Sequence, residues 1–121
     1  MLTRDIALTL AKNFINDLKS LGYYPNQVYM FGSMVKGNIH EYSDIDLAIW
    51  DKKLTGAMHL DYDTLKLLLV KHPNIELHPY NTADTEETNP FIEVIKKTGI
   101  QIPINDINVV NEPNEDFDNE K

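Results

Sequence analysis

Apolar residues at Ile6, Leu10, Phe14, Leu18 and Leu21 recur every three or four positions, the period of one helix face. Thr3 stands in front as a cap, Asp5 lies in the first turn, and Gly22 stops the run. After the turn Tyr24-Pro25-Asn26, the pattern changes to short apolar runs. QVYMF (27–31) reads as a strand that Gly32-Ser33 ends abruptly. Residues 34–43 form a connection with room for a short helix before Gly37. DIDLAIW (44–50) reads as a second strand: Ile45, Leu47 and Ile49 line one face, and Asp44 and Asp46 begin the other.

Leu60, Asp61 and Leu65 suggest a hydrophobic staple around an aspartate cap. The helix then continues through Leu68 and Leu69 to His72-Pro73-Asn74. NIELHPY (74–80) is a third strand, and its Pro79 points to a sheet edge. Asn89-Pro90 opens a helix with an apolar stripe of Phe91, Ile92 and Ile95, closed by Gly99, and residues 100–102 make a fourth short strand. The expected fold is α/β (α+β), a small mixed β-sheet covered by helices. It occupies residues 1–104. Residues 105–121, rich in Asn, Asp, Glu and Pro, are expected to form an acidic, disordered tail.

Charge narrows the function. The net charge is -8, but the tail alone holds six acids against one lysine, leaving thirteen acids and ten bases in residues 1–104. A broad duplex-binding surface is disfavoured, whereas a nucleotide remains a suitable ligand because metal ions supply positive charge locally. No apolar run has the length of a membrane helix, the first residues lack a secretory signal, and there are no cysteines. These features lead to the expectation of a cytoplasmic protein with no membrane partner and no thiolate metal site.

The chemistry concentrates in two places. Strand alternation puts Asp44 and Asp46 on one side, about 6.6 Å apart along the backbone. Carboxylates held so close repel unless a cation or proton intervenes, and oxygen ligands suit magnesium. A plain pair of acids at a sheet edge is the competing interpretation. Upstream, Gly32 lets a phosphate approach the backbone, Ser33 adds a hydroxyl and Lys36 a cation. A glycine turn with a helix-capping serine is the favoured interpretation of that stretch taken alone.

Together, GSMVKGNIHEYSDIDLAIW (32–50) resembles the signature of the DNA polymerase beta-like nucleotidyltransferase superfamily, most closely its minimal nucleotidyltransferases. Their pattern reads roughly G-S-x-A-R-G, a short gap, then S-D-x-D-L. The matching residues are Gly32, Ser33, Gly37, Ser43, Asp44, Asp46 and Leu47, while Val35 and Lys36 replace alanine and arginine. Lysine keeps the charge without the guanidinium fork. The resemblance implies catalytic and metal-binding roles for Asp44 and Asp46. It gives Gly32, Ser33, Lys36 and Ser43 to the nucleotide, and implies a third carboxylate on a later strand. Glu76 stands there, between two residues that should face the core.

By the same resemblance, Mg2+ bridges a nucleoside triphosphate, with ATP expected, and AMP passes to a hydroxyl. Minimal members are often paired with a small helical HEPN-type protein as toxin and antitoxin. Such a partner, or a second copy of the chain, would complete the site. The rival functions are a non-catalytic nucleotide- or protein-binding module and a small-molecule transferase of the aminoglycoside type. His78 shares the face of Glu76 and is read as a surface residue. Tyr42 and Trp50 are read as packing or rim residues, and Asp61 and Asp63 as serving a helix start.

Overall fold

The computed structural model describes residues 2–37 and 44–104. Four strands, β1 (Gln27–Phe31), β2 (Ile45–Trp50), β3 (Ile75–Tyr80) and β4 (Ile100–Gln101), form one sheet in the order β3-β2-β1-β4. β1 runs antiparallel to β2 and β4, while β2 and β3 are parallel. The sheet is therefore mixed, and Pro79 lies on an edge strand, where its missing N–H costs least.

Helix α1 (Arg4–Ser20) crosses one face of the sheet. Thr3 caps it, its hydroxyl accepting from the Ile6 amide at 3.2 Å. The buried face is the expected stripe at Phe14 and Leu18 but not at its ends. Ala7, Ala11, Phe14, Ile15 and Leu18 are buried, whereas Ile6 and Leu21 are half exposed. The two alanines let the helix backbone approach the sheet, where Val28, Met30, Ile45, Leu47, Ile49 and Leu77 meet it. The observed face keeps Phe14 and Leu18 and turns Ala7, Ala11 and Ile15 inward in place of Ile6 and Leu21.

The short helix α2 (Ser33–Lys36) fills the connection after Gly32, as expected. The predicted single helix after residue 60 is instead two, α3 (Met58–Thr64) and α4 (Lys66–Lys71), meeting at Leu65. Asp61 is not the cap. It lies inside the first turn of α3 and reaches back, accepting from the amides of Thr55 and Gly56 at 2.9 and 3.0 Å. It thus serves the helix start from within. Helix α5 (Phe91–Thr98) covers part of the other sheet face, packing Ile92 and Ile95 on Phe31, Ala48, Trp50 and Tyr80. The Asn89 side chain accepts from the Phe91 amide at 3.0 Å. Trp50 is a packing residue: it is fully buried, stacks on Tyr80 and donates its indole N–H to the Asp84 carbonyl.

Ser43, Tyr42 and residues 105–121 lie outside the described residues. No helix among the described residues is long and apolar enough to cross a membrane.

Candidate functional site

Among the described residues, helix α5 leaves one end of its sheet face uncovered, and the polar residues of β2 and β3 occupy that end. Alternation sends Asp46, Ala48 and Trp50 to this face. Ala48 and Trp50 are sealed beneath α5, while Asp46 keeps 22% of its side chain exposed. On β3 the same face carries Glu76, 48% exposed, and His78, 18% exposed. Parallel pairing places Asp46 directly opposite Glu76 and Ala48 opposite His78. Antiparallel pairing places Phe31 opposite Asp46, so Gly32, the next residue, turns over the same carboxylate.

The contact at that turn is close. Gly32 has φ 79° and ψ -149°, a backbone region that only glycine occupies readily. A β-carbon there would also overlap an oxygen of Asp46. Gly32 is thus required both by conformation and by proximity to the acid. Its carbonyl accepts the amides of Val35 and Lys36, both at 3.0 Å, which starts α2. Arg4 fixes the far end of α2, donating from Nε to the Met34 carbonyl at 3.2 Å and from Nη2 to the Val35 carbonyl at 2.6 Å. Ser33 is the first residue of α2 and is partly exposed; Lys36 is exposed.

Ligand atoms of Asp46, Glu76 and His78 all lie within 4.8 Å of one another. His78 Nε2 stands 3.1 Å from Asp46 Oδ1 and 3.7 Å from Glu76 Oε2. Partial burial pushes the Glu76 carboxyl above its ordinary range, and the negative charges of Asp46 and Asp44 push it the same way, with His78 opposing. This strain is what a divalent cation would relieve, and the donor set of two carboxylates and an imidazole suits one. Asp44 is exposed and just precedes β2. It is near enough to act on Glu76 but is not among the three groups drawn together.

The structure therefore unites Gly32, Asp46 and Glu76 as the sequence led one to expect, and adds two residues. His78, read as a surface residue, is largely enclosed and bonded to Asp46. Its signal was its place two positions after Glu76, on the same strand face. Tyr62 is the second, and no sequence pattern marks it. Its hydroxyl donates to the Leu77 carbonyl at 2.7 Å, bracing the edge strand between Glu76 and His78. Partial burial and the charges of Glu76 and Asp46 hold the phenol above its ordinary pKa.

The sequence profile of the nucleotidyltransferase domain family matches residues 11–100, which include the Gly32-Ser33 turn, Asp46 and Glu76. The chain belongs to that family, within the polymerase-beta-like superfamily that its Gly-Ser and Asp-x-Asp residues resemble. Among solved structures, it is similar to a candidate nucleotidyltransferase from Sulfolobus solfataricus. That likeness is 19% in identity over 81% of this chain and 80% of the other, with a TM-score of 0.56. A toxin–antitoxin structure with AMP-PNP is 18% identical over 81% of this chain and 78% of the other, with a TM-score of 0.53. At such identities the likeness concerns the fold. No curated protein matches the chain.

Proposed function

We propose that this protein is a magnesium-dependent nucleotidyltransferase that moves AMP from ATP to a hydroxyl on a small helical partner protein, in the manner of a toxin–antitoxin pair. The observation that carries the reading is the in-register meeting of Asp46 and Glu76 beneath the Gly32 turn. Asp46 and Glu76 would hold the metal, with Asp44 contributing from the strand start. The bound metal would supply charge neutralisation on the triphosphate. Gly32 and Ser33 would receive phosphate oxygens, with Lys36 adding a cation; a nucleotide role for Ser43 rests on the sequence resemblance alone.

In the reaction, the acceptor oxygen bonds to the α-phosphorus as the bond to the bridging oxygen of the β-phosphate breaks. Pyrophosphate leaves, and the acceptor proton passes to Glu76. Glu76 suits that task because it is the most exposed of the three clustered groups, within reach of an approaching acceptor. Rate enhancement rests on positioning and charge rather than on a covalent intermediate.

Two considerations support a protein acceptor. Among the described residues, Asp46 and Glu76 lie at an end of the sheet that no helix covers, open to an acceptor as large as a protein. One structurally similar chain comes from a toxin–antitoxin complex with AMP-PNP. The test is incubation with magnesium, α-labelled ATP and the product of the neighbouring gene. Label on the partner, absent with Asp46→Asn, supports the reading. Tight nucleotide binding with no transfer to protein favours a binding module, and labelling of an aminoglycoside favours a resistance enzyme.

A further inference from the structure

We propose that His78 is a nitrogen ligand of the metal site, so that beside magnesium the site takes divalent ions that accept an imidazole. This deepens the metal–nucleotide reading above and rests on it.

The argument begins with the strand. Glu76 and His78 are two residues apart and share one face, but their opposite neighbours differ: Glu76 faces Asp46, whereas His78 faces Ala48. The small alanine leaves lateral room for an imidazole to lean back along β2 toward Asp46. The ring of Phe31 meets the imidazole edge-on at 4.8 Å and 63°, fixing its plane. Phe31 is itself buried and pairs with Asp46 in the β1–β2 register, so ring and carboxylate are positioned by one residue. The result is a single nitrogen, Nε2, aimed between Asp46 Oδ1 and Glu76 Oε2.

An ordinary surface ion pair has no such construction: its partners are long, exposed and free to part. Here the imidazole is mostly enclosed and held by an aromatic neighbour. A nitrogen so placed either donates a proton to the carboxylates or ligates a cation together with them. Ligation uses the lone pair of Nε2 on the neutral ring, whose proton then sits on Nδ1. Magnesium prefers an all-oxygen shell, whereas imidazole suits the later first-row divalent ions, of which manganese is the paramagnetic member nearest to magnesium.

Manganese with inorganic triphosphate is the appropriate probe, because that ligand contains no nitrogen. Pulsed electron paramagnetic resonance of the manganese complex of the full chain should show nitrogen modulation from a directly bound imidazole. His78→Gln, which keeps a donor toward Asp46, should lose the modulation. It should bind manganese on the order of tenfold more weakly, while magnesium affinity changes much less. Thermal melting checks that the variant folds; should it not, the wild-type spectrum alone decides. Manganese binding without nitrogen modulation would overturn the role of His78 and leave the metal–nucleotide reading intact. Failure of the wild type to bind manganese triphosphate would overturn both.

Discussion

The α-carbon of Gly32 lies so close to the Asp46 carboxylate that a β-carbon on it would overlap a carboxylate oxygen. The turn and the acid are therefore one unit, joined by the Phe31–Asp46 pairing of β1 and β2. Gly32→Ala should displace Asp46 as well as strain the backbone, at a cost of about 1–3 kcal/mol. Urea denaturation should register that loss. Calorimetry on the folded variant should show magnesium–nucleotide affinity falling by more than the stability loss accounts for. Normal affinity in a destabilised variant would make Gly32 a turn residue only.

Arg4 reaches from the first residue of α1 to two carbonyls of α2. The guanidinium matches them with two separate donors, which a lysine ammonium does not reproduce in the same geometry. Because Arg4 is exposed, Arg4→Lys and Arg4→Ala should each cost at most about 1 kcal/mol of stability. Both should still weaken nucleotide binding a few-fold by loosening the turn. Binding unchanged in both variants would separate α2 from the nucleotide site.

Much of this arrangement was legible in the sequence. Strands β1 to β3 were readable because apolar residues alternate and turn residues bound them. The Gly-Ser turn and Asp46 were readable because their spacing forms a joint pattern. The face of α1 was legible only at Phe14 and Leu18, since Ala7 and Ala11 bury little surface yet decide how closely the helix lies on the sheet. Asp61 was misplaced because a carboxylate reaching backward leaves the same local signature as one that caps. The enclosure of His78 depends on Ala48 and Phe31, which are distant in sequence and meet only through strand register.

Tyr62 braces the edge strand that carries both Glu76 and His78. Tyr62→Phe leaves the Leu77 carbonyl without that donor and should lower stability by about 1 kcal/mol. Hydrogen exchange of β3 amides should accelerate more than exchange of β1 amides. Equal acceleration in both strands would show only a global loss.

Asp17 accepts from Lys71 at 2.9 Å and from His72 Nε2 at 2.8 Å, tying α1 to the end of α4. The hydrogen bond from Lys71, then that from His72, holds its carboxyl below the ordinary value of 3.8. A lowered folded-state pKa stabilises the fold above the unfolded value, and the contribution vanishes as pH falls through the folded one. The melting temperature of the wild type should exceed that of Asp17→Asn at pH 5, and the gap should close as the pH drops below about 4. A gap that widens on acidification would contradict this assignment.

Titration of magnesium with a non-hydrolysable ATP analogue into the wild type, Asp46→Asn and Asp44→Asn tests the central claim most directly. The account predicts coupled metal and nucleotide binding in the wild type and its loss in Asp46→Asn. It predicts a smaller weakening in Asp44→Asn, because Asp46, and not Asp44, is drawn together with Glu76 and His78. Equal affinity in the wild type and Asp46→Asn would contradict it.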